Sequence, residues 1–155
     1  MNVSRSEVEL LERELALLRQ AAEITRRSFE RCSRIGVKED YDGDELDAFE
    51  AFASRFGRLA DILMQRVFRL IERIDLDDAG TVRDRINRAE KKGLIENAQT
   101  FAEIRTLRNA IAHEYLPEAV RTIFRQTLRY APPLLDAVDR SLTYARRYES
   151  GETRG

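Results

Sequence analysis

The 155-residue chain has one cysteine, one histidine and three prolines. A lone Cys32 excludes an internal disulfide and a cysteine-based metal site. A lone His113 leaves no second imidazole to share a metal, so no metal ligand set is expected. No stretch approaches about 18 uninterrupted apolar residues, so no membrane span is expected. Met1 to Glu14 is polar and charged with no apolar stretch, which predicts no targeting signal and a cytoplasmic protein. There is no Gly-rich phosphate loop, no paired-carboxylate signature and no cofactor motif. A small-molecule enzyme is therefore disfavoured, and no cofactor is implied.

Charge is plentiful: 35% of residues are charged, yet the net charge is only −1. The balance hides an asymmetry. Residues 1–80 hold 13 basic and 18 acidic side chains, net −5, whereas residues 81–155 hold 14 and 10, net +4. The acidic excess gathers between Glu39 and Glu50. The basic excess includes Arg83, Arg85, Arg88, Lys91, Lys92, Arg105, Arg108, Arg121, Arg125 and Arg129. A positive half can attract an anionic polymer, and it can equally be a solvated helix surface.

Hydrophobic residues make up 43% of the chain, enough for one domain with a real core. The periodicity is helical throughout. Val8, Leu11, Leu15, Leu18, Ala22, Thr25, Phe29 and Cys32 alternate steps of three and four, and Ser4 with Glu7 reads as a capping box. A turn over Gly36 and Asp42-Gly43-Asp44 precedes a second long helix with Phe49, Phe52, Phe56, Leu59, Leu63, Val67, Leu70 and Ile74 on one face. The two predict an antiparallel pair. After a polar break at 75–80, Thr81 to Lys92 reads as a short basic helix closed by Gly93. A fourth helix is expected over Asn97 to Tyr115, with Phe101, Ile104, Leu107 and Ile111 inward and Pro117 stopping it. A last helix from Glu118 to Tyr148 should kink or break near Ala131, ahead of Pro132-Pro133. The expected fold is all-α: an antiparallel bundle of four to five helices with a proline-kinked last helix. Residues 1–149 form one domain, and 150–155 a disordered tail.

Chemistry concentrates in Leu107-Arg108-Asn109-Ala110-Ile111-Ala112-His113-Glu114-Tyr115. Arg105, Asn109 and His113, spaced by four, make a polar ridge on one helix face, with Arg108 at its flank and able to wrap toward the histidine. Ala110 and Ala112 are small enough to admit another helix or a ligand. Taken singly, His113 fits a helix end, Arg108 a salt bridge and Tyr115 simple packing. Together they suit a phosphodiester. Histidine titrates near neutrality and can move a proton, and an arginine fork can hold phosphate oxygens as charge builds.

The spacing Arg108-x4-His113-x-Tyr115, with Asn109 directly after the arginine, resembles the signature of the HEPN superfamily in its HepT-like toxin branch. The segment Ile123 to Val138, with Leu128 and Pro132-Pro133-Leu134-Leu135, is similar to the proline-interrupted last helix of such proteins. The resemblance implies an all-α homodimer acting as a metal-independent ribonuclease. It implies a neighbour-encoded MNT-type nucleotidyltransferase antitoxin as partner. Arg108 and His113 would be catalytic, Asn109 would support them with Arg105 on the same stripe, and Tyr115 would receive AMP from the antitoxin. Two other functions remain open from the residues: a non-catalytic HEPN-like module binding a nucleotidyltransferase or a nucleotide, and a plain helical adaptor.

Overall fold

The computed structural model describes residues 5–114 and 116–152, with only the backbone for 150–152. The architecture is all-α. Helix α1 spans Arg5–Ile35, and α2 spans Gly43–Asp61. A six-residue π turn, Ile62–Val67, joins α2 without a break to α3, Phe68–Ile74. Then come α4, Val82–Lys92, α5, Ala98–His113, and α6, Pro117–Glu152. The α2–π–α3 segment is one rod, so the bundle counts five helices. No described helix is long and apolar enough to cross a membrane.

Cross-helix contacts set the directions. Thr25 meets Arg55 and Glu14 meets Arg66, so α1 and the rod run antiparallel. Phe101 meets Phe68 and Arg108 meets Asp61, so α5 runs antiparallel to the rod as well. Phe124 stacks on Phe49 at one end, and Tyr148 reaches Asp75 at the other, so α6 runs parallel to the rod. Short α4 packs across the Asp75 end.

The rod is the centre of the core. Phe49, Phe52, Phe56, Leu59, Leu63, Val67 and Ile71 are fully buried. The expected α1 stripe is buried too, apart from half-buried Phe29. Burial also pushes the Cys32 thiol up to about 11, against a small opposing pull from Arg31, so it is inert at neutral pH.

Local signals explain the boundaries. Asp42 accepts from the Glu45 amide and Glu45 answers the Asp42 amide, a full capping box. Thr81 and Asp84 do the same for α4, and Gly93 ends it in the left-handed region at φ 79°. Asn97 caps α5 through the Thr100 amide. The proposed Ser4–Glu7 box lies outside the described residues.

Three expectations need correction. First, α5 ends at His113, because Glu114 is already extended at ψ 127° and Pro117 opens α6 three residues later. Second, of the kink or break expected ahead of Pro132-Pro133, the break does not occur, and α6 is continuous through both prolines. Pro132 is exposed and Pro133 half-exposed, while Ala131 and Leu134 are fully buried. The carbonyls that lose their amide partners thus belong to Leu128 and exposed Arg129, toward the solvent side, where water can take them. Third, α6 continues to Glu152, past the expected start of the disordered tail at 150. Residues 153–155 lie outside the described residues. Tyr144 and Tyr148 hold these last turns by hydroxyl bonds to Asp75.

That carboxylate ties three elements together. It also receives Lys92 Nζ at 2.5 Å, and Lys92 reaches Asp77 at 2.9 Å. Burial alone would raise the Asp75 pKa; the bonds from Lys92, Tyr144 and Tyr148 outweigh it and hold the carboxyl below its usual range. A carboxylate lowered on folding adds stability above its unfolded pKa and loses it as pH falls through the folded one. Urea unfolding at pH 7 should show Asp75→Asn weaker than wild type by roughly 1–3 kcal/mol. That gap should narrow as pH falls below about 4. An equal gap at pH 7 and pH 3 would show that the ionised carboxylate is not what matters.

Candidate active site

Helix α5 presents two faces. Phe101, Ile104 and Leu107 are buried against the rod and α6, with Ile111 half-buried behind them. Arg105, Asn109, Ala112 and His113 are exposed. The polar ridge of the sequence therefore exists as a solvent-facing stripe. His113 is the last residue of the helix, and its imidazole makes no hydrogen bond to any described residue. Tyr115 lies outside the described residues.

Arg108 does not wrap toward His113. Its Nε donates to Asp61 Oδ1 at 2.6 Å, and its Nη2 donates to Asp61 Oδ2 at 2.9 Å. Its Nη1 donates to Asn109 Oδ1 at 3.2 Å. The carboxylate thus takes the side edge of the guanidinium, and Asn109 takes one N–H of the far nitrogen. Two N–H groups are left, one on each terminal nitrogen, to donate to an anion such as a phosphate. Asp61 fixes the plane of the guanidinium, and its hydrogen bond raises the Arg108 pKa further. The pair is only partly covered, with side-chain exposures of 32% for Arg108 and 37% for Asp61.

Two grooves meet at this pair. One, about 520 Å³, runs between α2, α5 and the start of α6; Gly57, Ile111, Ala112, Val120 and Phe124 give it an apolar floor, and Glu50, Ser54 and Glu114 also line it. The other, about 680 Å³, is basic: Arg58, Arg66, Arg105 and Arg108 line it with Gln65 and Asn109. Arg58, Asp61 and Arg108 border both. His113 lines neither. The single chain therefore joins Arg108 with Asn109 and Arg105 but leaves His113 on its own at the helix end.

Asp61, Arg58, Arg66 and Gly57 were not singled out in the sequence, where the second helix was read by its apolar face. The available signal was the polar strip opposite that face. The broad basic excess after residue 80 proves a poor guide. Arg85 and Arg88 pair with buried Glu72, Lys92 pairs with Asp75, Arg121 with Asp40, and Arg129 stacks on the Tyr130 ring. Two arginines of the basic groove come instead from the acidic half.

Among the described residues, no three His, Cys, Asp or Glu side chains converge as a metal site would require. No protein-family model matches this sequence, and none of the curated proteins compared with it matches.

Because about a third of each side chain of the Arg108–Asp61 pair lies in solvent, screening keeps its net effect on folding small. Asp61→Asn should lower stability by no more than about 1 kcal/mol. A Cβ at Gly57 would meet only Ile111 Cγ2, at 3.7 Å, an ordinary contact. Gly57→Ala should therefore stabilise the helix by about 0.5–1 kcal/mol while shallowing the apolar groove. Thermal unfolding reads both; a loss above about 2 kcal/mol in Asp61→Asn would make the pair a structural clamp instead.

Proposed function

We propose that this protein is a metal-independent ribonuclease of the HEPN/HepT type, the toxin partner of an MNT-type nucleotidyltransferase. The observation that carries this is the orientation of Arg108. A carboxylate holds its guanidinium and leaves two N–H groups free to donate to a phosphate, on the helix that ends in His113. The motif spacing and the all-α bundle support the same reading.

The reaction is internal transesterification. The 2′-oxygen attacks phosphorus and loses its proton to a base. The bond from phosphorus to the 5′-oxygen breaks, and an acid protonates that leaving oxygen. A 2′,3′-cyclic phosphate results. Arg108 holds the non-bridging oxygens as negative charge grows on them. One chain supplies a single imidazole, and base and acid are both needed. A two-fold dimer that faces two α5 ends would supply two His113 and two Arg108 side chains to one cleft. Addition of AMP to Tyr115, two residues beyond His113, would place a bulky anion beside the cleft and repel RNA.

A second reading has one specific observation behind it. Arg108 is already engaged by Asp61. A non-catalytic module could keep that pair closed and use the apolar groove to bind a nucleotidyltransferase or a nucleotide.

Cleavage of total tRNA and mRNA in excess EDTA separates the two. Wild type should cut and leave cyclic phosphate ends. His113→Ala should lose roughly 10²–10⁴-fold and Arg108→Ala roughly 10²–10³-fold, both with unchanged helix content. Cleavage by His113→Ala at the wild-type rate would sink the proposal. A variant shown to be monomeric, yet cutting at full rate, would remove the shared cleft alone. Should wild type fail to cut, mass spectrometry of Tyr115 must first exclude prior modification; an unmodified, inactive chain favours the binding module.

A further inference from the structure

The basic groove holds four arginines and a single carboxylate, Asp61, which is bound to Arg108. Arg66 has only a loose pair with Glu14 at 3.3 Å, with more than half of its own side chain exposed. Arg58 and Arg105 are exposed and form no ion pair among the described residues. They stand on opposite walls, Arg58 and Arg66 on the rod and Arg105 on α5. Like charges facing each other across a groove raise its potential and favour an anion between them.

The π turn contributes to this arrangement. On an unbroken α-helix, Arg58 and Arg66, eight residues apart, would stand about 80° apart around the axis. A π turn takes up one extra residue, which rotates the next turns of the rod back by about 100° and brings the two to within about 20°. The same rotation suits the core, since Phe68 and Ile71 beyond the turn are buried at 1% and 0% exposure.

We propose that this groove is a track for the phosphates of single-stranded RNA, leading to Arg108. Guanidinium forks from two walls can grip successive phosphates, and a volume of about 680 Å³ has room for more than one. Single strand is favoured over duplex by the neighbouring apolar groove. Across the Arg108–Asp61 pair, Gly57, Ile111 and Ala112 offer carbon to a base that is free of its complement. The assignment rests on the ribonuclease reading for its substrate, but its contacts are separate from the reacting groups.

Fluorescence anisotropy with a labelled oligouridine of about ten nucleotides, 2′-O-methylated so that it cannot be cut, tests binding apart from chemistry. Arg58→Gln and Arg105→Gln should each weaken binding roughly three- to tenfold and flatten the slope of log K against log salt by about 0.7. The double variant should lose more than roughly tenfold. Arg58→Lys and Arg105→Lys should keep the slope, because the charge remains. Arg19→Gln, exposed on α1, should bind as wild type. An unchanged thermal midpoint confirms that the variants fold.

Wild-type affinity and slope in the double glutamine variant overturn the track, as does a wild type that does not bind the oligomer. Equal binding of a duplex of the same length overturns the single-strand assignment. The two proposals fail separately. Cleavage with no dependence on Arg58 and Arg105 sinks the track alone. Track-dependent binding without cleavage, by a chain that mass spectrometry shows to be unmodified at Tyr115, sinks the ribonuclease alone.

Discussion

Every other helix of this protein leans on the α2–π–α3 rod. It must satisfy α1 on one side and α5 and α6 on the other, so apolar side chains occupy most of its circumference. What remains for polar residues is a narrow strip. Arg58, Asp61, Gln65 and Arg66 share the part of that strip that borders the groove beside α5. The grouping of these charges thus follows from packing, and the same packing fixes α5 opposite them.

Polar bonds then divide into two kinds. At the Asp75 end, the carboxylate is shared among a lysine and two tyrosines, and Glu72 is 3% exposed between Arg85 and Arg88. These bonds lock α4 and the end of α6 to the rod, with Asp77 Oδ1 and Arg88 Nε left buried without a partner. Near the other half of α5, the groups are under-satisfied and wet. Arg105, Arg58 and His113 face solvent with no ion partner among the described residues.

The helices were legible because burial enforces a period, and Gly93 was legible as the close of α4 because it acts within one turn of itself; the caps at Asp42, Thr81 and Asn97 are just as local but were not singled out in the sequence. Local signals failed where tertiary contacts decide. Pro132 and Pro133 carry the same ring wherever they lie, and only their place on the outer side of α6 spares the helix. The π turn has no marker in Ile62–Val67, since it depends on two packing faces being served at once. The candidate site was half legible. Arg105, Arg108, Asn109 and His113 stand within three helical turns and were found together. Asp61 is 47 residues from Arg108 in the chain, and no spacing rule connects them. His113 stays as an expectation of the motif, since the chain does not bring it to Arg108, and Tyr115 lies outside the described residues.

The two prolines have a consequence for motion. A helix of 36 residues with two rungs missing from its hydrogen-bond ladder is not one cooperative unit. The part before Ala131 is anchored by Phe124 on Phe49 and by Tyr130 on Glu103, and the part after it by Tyr144 and Tyr148 on Asp75. Each part can open while the other stays docked, so amide exchange along α6 should fall into two protection classes that change over at the prolines. The first part borders the apolar groove and the second does not. A ligand in that groove would then slow exchange in the first part of α6 and leave the second at its own rate.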